Sequence, residues 1–304
     1  MTIAVVGSIN MDVTAYMYRL PKPGETLHGK DYIVGLGGKG ANQAVAARKL
    51  GSEVAFIGRI GVDDFGKGAE RALASYDVDL SHIRRDADGA TGIAIINVGE
   101  GGENWISVIA GSNMRVDLSD VEAGRAALEK AKVLLLQLEV PLEASLAAAQ
   151  IVRAHGGTVI LDPAPAKDLA PEVLKAVDII TPNESEAGLL LGWQPQTPEE
   201  GLKAAKELRN RGVATAVVKL GGKGLAVAGP GLEAIIPPFK VTPIDTVAAG
   251  DSFNGGLGHG LEQGLGLEGA LRYAAACGAL STTKKGASAA APTRAEVEAF
   301  LASA

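Results

Sequence analysis

The stretch Lys132-Val133-Leu134-Leu135-Leu136-Gln137-Leu138-Glu139, a helical pattern from Glu143 to His155, and then Thr158-Val159-Ile160-Leu161-Asp162 form one unit of a repeated plan. An aliphatic run this short, without polar alternation, reads as a strand buried on both faces, as in parallel sheets covered by helices. Outward from this unit, similar runs lie at Ile3 to Val6, Val54 to Ile57, Val177 to Ile180 and Ala214 to Leu220. Helical patterns lie between them at Asn42 to Leu50, Gly66 to Tyr76, Ser119 to Lys130, Pro198 to Arg211 and Ser252 to Gln263. Such alternation predicts a doubly wound α/β domain with a mostly parallel sheet flanked by helices. Two stretches break the plan. Val13 to Val34 follows the first strand without a helix, and Thr91 to Ile109 alternates as a hairpin turning at Gly99-Glu100-Gly101-Gly102. The expected division is an α/β domain of residues 1–12, 35–90 and 110–304 with a small β-sheet lid of residues 13–34 and 91–109.

Composition narrows the class of protein. At 304 residues the chain suits one large domain with a small appendage. No apolar run reaches the roughly 18 to 20 residues of a membrane span. The N-terminus lacks the basic start and small-residue cleavage site of a signal peptide, so a cytoplasmic protein is expected. A net charge of −6 without a basic stripe argues against nucleic acid as a partner. The single cysteine, Cys277, excludes an intrachain disulfide and a cysteine metal cage, and its apolar surroundings read as packing. His28, His82, His155 and His259 are scattered without metal-ligand spacing. Trp105 reads as packing of the small sheet, or else as a contact to a ligand or a partner's lid, and Trp193 as an anchor for a surface loop.

Ligands of open α/β sheets bind beyond the carboxyl ends of the strands. Polar residues gather there: Asn10 and Asp12 after the first strand, Glu139, Asp162, Asn183, and Gly221-Gly222. The sharpest local signal is Asp245-Thr246-Val247-Ala248-Ala249-Gly250-Asp251-Ser252-Phe253-Asn254-Gly255-Gly256. Small residues before a helix leave backbone N–H groups and the positive helix end free to meet one anion. Asp251 could be an ordinary first-turn carboxylate, or a base that receives a proton from a hydroxyl attacking a phosphoryl group. The second signal is Gly35-Leu36-Gly37-Gly38-Lys39-Gly40-Ala41-Asn42-Gln43-Ala44-Val45-Ala46-Ala47. It is not a nucleotide P-loop, because Ala41-Asn42 stands where Ser or Thr would be required. It reads as a backbone loop close to a small polar ligand with Asn42 as donor and acceptor, or as a tight turn with Asn42 capping the helix.

These two motifs occur together with Gly7-Ser8-Ile9-Asn10-Met11-Asp12, Pro23-Gly24-Glu25-Thr26, Gln137-Leu138-Glu139, Asp162-Pro163-Ala164-Pro165-Ala166 and Thr181-Pro182-Asn183-Glu184-Ser185-Glu186. In this order they resemble the ribokinase family of carbohydrate kinases from residue 3 to about residue 300, and Gly37 to Ala47 is more similar to the ribokinases than to fructokinases or adenosine kinases. The resemblance implies ATP-dependent phosphorylation of the terminal primary hydroxyl of D-ribose to ribose 5-phosphate, with Asp251 as base. It places the amides of Ala248, Ala249, Gly250 and Asp251 around the transferring phosphoryl group. It puts Asn10, Asp12, Gly38, Lys39, Gly40, Ala41, Asn42 and Glu139 around the sugar. Nucleotide contacts are implied for Asn183, Lys219, Leu220, Gly221, Gly222, Lys223, Gly224, Gly250 and Ala275. Asn183 and Glu186 match a motif that organises Mg²⁺ mainly through water. Asp245, Val247, Ser281, Lys284 and Gly286 match a monovalent cation site for K⁺, and Ala290 departs from it, since a serine is common there. The resemblance also implies a homodimer formed through the lid.

Two other readings stand beside this one. The same phosphate machinery serves kinases of other sugars or of nucleosides, and a regulatory protein could keep the fold to bind a sugar without turnover. The intact Gly250-Asp251 pair speaks against the latter.

Overall fold

The computed structural model describes residues 2–101 and 103–303. Among them the strands are β1 (Thr2–Val6), β2 (Asn10–Tyr16), β3 (Asp31–Gly37), β4 (Glu53–Gly61), β5 (Ile83–Asp86), β6 (Gly92–Val98), β7 (Asn104–Ile109), β8 (Ala131–Leu136), β9 (Thr158–Leu161), β10 (Ile179–Ile180), β11 (Thr215–Lys219), β12 (Leu225–Gly229) and β13 (Leu232–Ile236). The helices are α1 (Lys39–Lys49), α2 (Asp64–Ser75), α3 (Leu118–Ala123), α4 (Arg125–Leu128), α5 (Leu142–Ala154), α6 (Pro171–Ala176), α7 (Glu184–Leu191), α8 (Pro198–Asn210), α9 (Ala249–Glu262), α10 (Gly266–Ser281) and α11 (Arg294–Ser303).

Nine strands form one sheet in the order β13-β12-β11-β10-β9-β8-β1-β4-β5. All pairings from β11 to β5 are parallel, while β12 and β13 close one edge as an antiparallel hairpin. The expected α/β architecture is therefore present. The order reverses at β1, which has β4 on one side and β8 on the other, so a crevice is due beyond Val6 and Leu136.

Residue alternation along the buried strands builds two cores. Ala4, Val6, Leu134, Leu136, Val159 and Leu161 meet α5 and α8 on one face, through Ala148, Val152 and Leu208. Ile3, Val5, Val133, Leu135 and Ile160 meet α1 and α9 on the other, through Val45, Phe253 and Leu257. Each such aliphatic side chain contributes about 1.5–3 kcal/mol by leaving water, which holds the strand ends in fixed register.

A four-stranded sheet, β3-β2-β6-β7, stands apart from the large one. Its strands extend into residues 10–12 and 35–37, which the sequence pattern placed with the main domain. Asn10 to Asp12 pair with Gly35 to Gly37 and with Gly92 to Ala94, so the root of this sheet lies at the crevice. Gly99 N–H donates to the Glu103 carbonyl across the expected hairpin turn, of which Gly102 lies outside the described residues.

Several boundaries differ from the sequence pattern for local reasons. The predicted helix Ser119 to Lys130 divides at Gly124, where a Cβ would come within 2.4 Å of Ile57 Cδ1. The run Val177 to Ile180 contributes only Ile179–Ile180, because Asp178 turns its carboxylate to the Val159 N–H. The helices predicted from Asn42 and Ser252 begin three residues earlier, at Lys39 and Ala249. This last difference puts Asp251 inside the first turn of α9.

Candidate active site

Asp251 is 5% exposed, in the first turn of α9. The helix starts at Ala248, which has φ +56° and no capping side chain. The first N–H groups of a helix have no intrahelical partner, so those of Gly250 and Asp251 are free for an anion. The Asp251 carboxylate is held from α1: Asn42 Nδ2 donates to Oδ2 at 3.0 Å and Gln43 Nε2 to Oδ1 at 3.0 Å. Gly255, one turn on from Asp251, permits this approach, since a Cβ there would lie 2.6 Å from Ala46 Cβ and 3.0 Å from the Gln43 carbonyl. Burial raises the Asp251 pKa to about 6, with Lys39 opposing and Asp162 adding to the rise. A carboxylate poised there changes charge near neutral pH, as a general base should.

α1 starts at Gly38, whose φ of +85° suits glycine and whose Cβ position is 2.8 Å from the Asn10 N. The Lys39 N–H donates to Glu139 Oε2 at 3.0 Å, and Ser8 Oγ donates to the same oxygen. Glu139 thus fixes the loop by its carboxylate. Asn10 is 4% exposed, and its Oδ1 accepts from Asn113 Nδ2 at 2.7 Å. Asp12 is pushed up to about 6 by burial, with the nearby Glu139 charge adding to it. Burial lowers the Lys39 pKa, but Asp251, Asp162, Glu139 and Glu186 together outweigh it and leave the ammonium favoured. The structure thus brings Asn10, Asp12, Gly38, Lys39, Asn42, Glu139 and Asp251 to one place. Gly40 and Ala41 do not join them: Ala41 is wholly buried with its N–H on the Ser8 carbonyl, and Gly40 packs on Gly7. Asn42 is neither a cap nor free, because its Oδ1 also accepts from Ser288 Oγ at 2.6 Å.

A cavity of about 770 Å³ opens from Asp251 and Gly250 toward Asn183, Lys219, Gly221, Gly222, Gly224 and Ala275. Two residues expected on it point elsewhere. Leu220 is 1% exposed and packs on the Gly201 position, and Lys223 Nζ reaches the Gln196 carbonyl at 2.7 Å. Lys219 does more than its backbone position suggested: its Nζ is 3.0 Å from Asp162 Oδ1 and 3.3 Å from where a Cβ on Gly250 would stand. Asn183 and Glu186 form a capping box at the start of α7. The Asn183 N–H and Nδ2 donate to the two Glu186 oxygens at 2.8 and 3.0 Å. Glu186 is half-buried rather than solvated, and burial raises its pKa against the pull of Lys219.

Asp245 joins two loops. Its Oδ1 accepts from the Val247 N–H and its Oδ2 from the Gly286 N–H, each at 3.0 Å, while its own N–H donates to the Thr282 carbonyl. Val247 and Gly286 are thereby drawn to one carboxylate, the Ser281 carbonyl accepts from the Lys284 N–H at 3.2 Å, and Ala290 is 1% exposed. The Lys284 ammonium is turned away to Glu296.

Signals missed in the sequence are Ser8, Gln43, Asn113, Ser288 and the side chain of Lys219. Gln43 and Ser8 stood inside motifs already read, whereas nothing local marks Asn113 or Ser288. His259 is buried, with Nδ1 2.8 Å from Ser52 Oγ. Cys277 packs against Gly256, and burial pushes its thiol pKa up. Trp193 bonds Glu207 through Nε1. Trp105 is half-exposed on β7 rather than packed.

Comparison with known proteins matches these features. The family model for pfkB family carbohydrate kinases matches residues 2–294. A ribokinase of Haemophilus influenzae is 43% identical over 300 residues, covering 99% of this chain and 98% of its own. A deoxyribokinase of Salmonella typhi is 34% identical over 302 residues, with 99% of each chain covered. Among solved structures, Arabidopsis thaliana ribokinase complexed with ribose and ATP superposes with a TM-score of 0.90 at 34% identity over 98% of both chains. The uncapped helix start, its buried carboxylate and the matched length lead to one conclusion: this chain belongs to the pfkB family of carbohydrate kinases.

Proposed function

We propose that this carbohydrate kinase transfers the γ-phosphoryl group of ATP to the terminal primary hydroxyl of D-ribose, giving ribose 5-phosphate and ADP. The observation that carries the reading is Asp251, buried at an uncapped helix start and held by Asn42 and Gln43. The Asp251 carboxylate takes the hydroxyl proton, the freed oxygen bonds to the γ-phosphorus, and the bond to the β–γ bridging oxygen breaks. Negative charge on the phosphoryl oxygens meets the Gly250 and Asp251 amides and the Lys219 ammonium, which are in place before the reaction, whereas the expected Ala249 amide is taken by the Thr246 carbonyl at 3.3 Å. The proton on Asp251 then passes to solvent.

Asn10, Asp12, Lys39 and Glu139 surround the sugar. Polar groups such as the Lys39 ammonium and the Asp12 carboxylate would be left without partners by a substrate lacking a hydroxyl, which is a strong basis for discrimination. Asn183 and Glu186 fit Mg²⁺ held through water: Glu186 is a half-buried carboxylate near the Lys39, Lys219 and Asp162 charges, and the ion would neutralise phosphate charge. Asp245 and the carbonyls of Val247, Ser281, Lys284 and Gly286 fit K⁺, because the three Asp245 hydrogen bonds already close the loops on one another.

Residues 13–34 and 91–109 serve as the lid in this reading. Tyr32, Ile33 and Val34 are all exposed, as are Trp105, Ile106 and Val108. Consecutive strand residues face opposite sides, so both faces of the outer small sheet are bare: one would cover the sugar and the other a second copy in a homodimer. Among the described residues no helix is long and apolar enough to cross a membrane, and a cytoplasmic place accords with the use of ATP. The test is a turnover screen with ATP over ribose, deoxyribose, fructose and nucleosides. The highest kcat/KM should fall on ribose; a nucleoside or another sugar in that place would overturn the assignment.

A further inference from the structure

Gln43 is 1% exposed and lies on the face of α1 that meets α9. Its Nε2 donates to Asp251 Oδ1 at 3.0 Å and to Asp162 Oδ2 at 3.1 Å. An amide nitrogen has two hydrogens, so both are used on carboxylates that face one another across it. That leaves the orientation of the amide no freedom. A flipped Gln43 would turn its carbonyl oxygen on two carboxylates. The present orientation is locked from behind by Gln137, whose Nε2 donates to Gln43 Oε1 at 2.7 Å. Gln137 follows β8, at the point where the strand order reverses. Asp162 completes the chain, because its other oxygen receives the Lys219 ammonium at 3.0 Å.

Resting on the reading of Asp251 as the base, we infer that Gln43 is a positioning residue for phosphoryl transfer. It fixes the Asp251 carboxylate toward the sugar hydroxyl and ties it to the Asp162–Lys219 pair beside the phosphate cradle. Glutamine suits this post because it donates two hydrogen bonds without carrying charge. A lysine would neutralise the base through an ion pair, and a hydrophobic residue would leave two carboxylates facing each other without a donor between them. The charged groups that also face Asp251 are Lys39 from α1 and Asp162 from the end of β9, with Lys219 from β11 and Glu186 from α7 around these two. Gln137 acts one step further out, by holding the Gln43 amide.

The experiment is the pH dependence of kcat/KM for ribose from pH 5 to 9 in the wild type, Gln43→Met and Gln137→Met, with thermal unfolding of each. Hydrogen bonds to a carboxylate stabilise its charged form, so losing one raises its pKa and carries the acid limb of the profile to higher pH. Gln43→Met should move that limb up by about one pH unit, which lowers the rate nearly tenfold at pH 5 but only about twofold at pH 7, with the loss recovered at pH 9. Gln137→Met, which leaves the donor present but free to rotate, should shift the limb in the same direction by less. A merely structural role would lower the melting temperature and the rate equally at every pH. A folded Gln43→Met enzyme whose acid limb coincides with that of the wild type overturns the inference. Should that variant not fold, an unmoved limb in Gln137→Met overturns it. A wild type that turns over with no acid limb at all overturns the inference together with the role of Asp251.

Discussion

Helices α7 and α9 begin on the same cavity and treat their first turns in opposite ways. α7 caps its own start: Asn183 accepts from the Glu186 N–H at 2.9 Å and Glu186 returns to the Asn183 N–H. α9 starts at an alanine in a left-handed conformation with no side-chain cap, and an ammonium, Lys219, stands beside it. A cation at the positive end of a helix is unfavourable unless an anion lies between them. On the proposed function, the capped start of α7 has its partners within the chain, while the uncapped start of α9 is the one a phosphate would complete.

The largest expected effect follows from taking the base out of the open end. Asp251→Asn keeps the shape and removes proton acceptance, so kcat should fall by about two orders of magnitude or more while ATP binding survives. Steady-state kinetics with a separate nucleotide titration check this, and near-normal kcat would remove Asp251 from its role. In the wild type the pKa of about 6 gives the sign of the pH effect: as pH falls below it the base gains a proton, and the rate drops about tenfold per unit.

A smaller loss is expected at Lys219. Lys219→Met removes the cation beside α9 and should reduce kcat about tenfold or more, since its charge acts chiefly as phosphoryl charge develops. A change confined to KM for ATP would instead mark Lys219 as a ground-state contact.

Closing the comparison from the other side, Asn183→Ala opens the capped start of α7. Loss of such a cap costs about 1 kcal/mol, so the melting temperature should drop by a few degrees while kcat changes less than in Lys219→Met. A stability equal to that of the wild type would show that the box contributes nothing to α7.

The smallest effect concerns K⁺. Ala290 lacks the hydroxyl common at its position in the family, so K⁺ should raise activity by only about a few fold, by steadying the loop from Asp245 that leads into α9. Titration with K⁺ and Na⁺ at constant ionic strength, in a bulky organic-cation buffer, separates this from screening. A flat response would detach the loop from cation control.

The sequence by itself determined the parallel sheet and the place of the crevice, and it marked Asp251 as the candidate base. Those rest on local signals: uninterrupted aliphatic runs, polar residues at strand ends, and a string of small residues before Asp251. It also supplied the motif containing Gln43, but as a row of helix residues among which Asn42 alone stood out. Only the tertiary structure decided which of these neighbours serves what. Asn42 and Gln43 reach Asp251 across more than 200 positions of chain because Gly255 lets α1 lie against α9, and Gln43 meets Asp162 because both converge on the crevice. The same holds for Ser288 on Asn42 and Lys219 at Gly250. Secondary structure is encoded in spacings of a few residues, whereas the hydrogen bonds of a buried amide depend on how two helices pack, and no short stretch of sequence contains that distance.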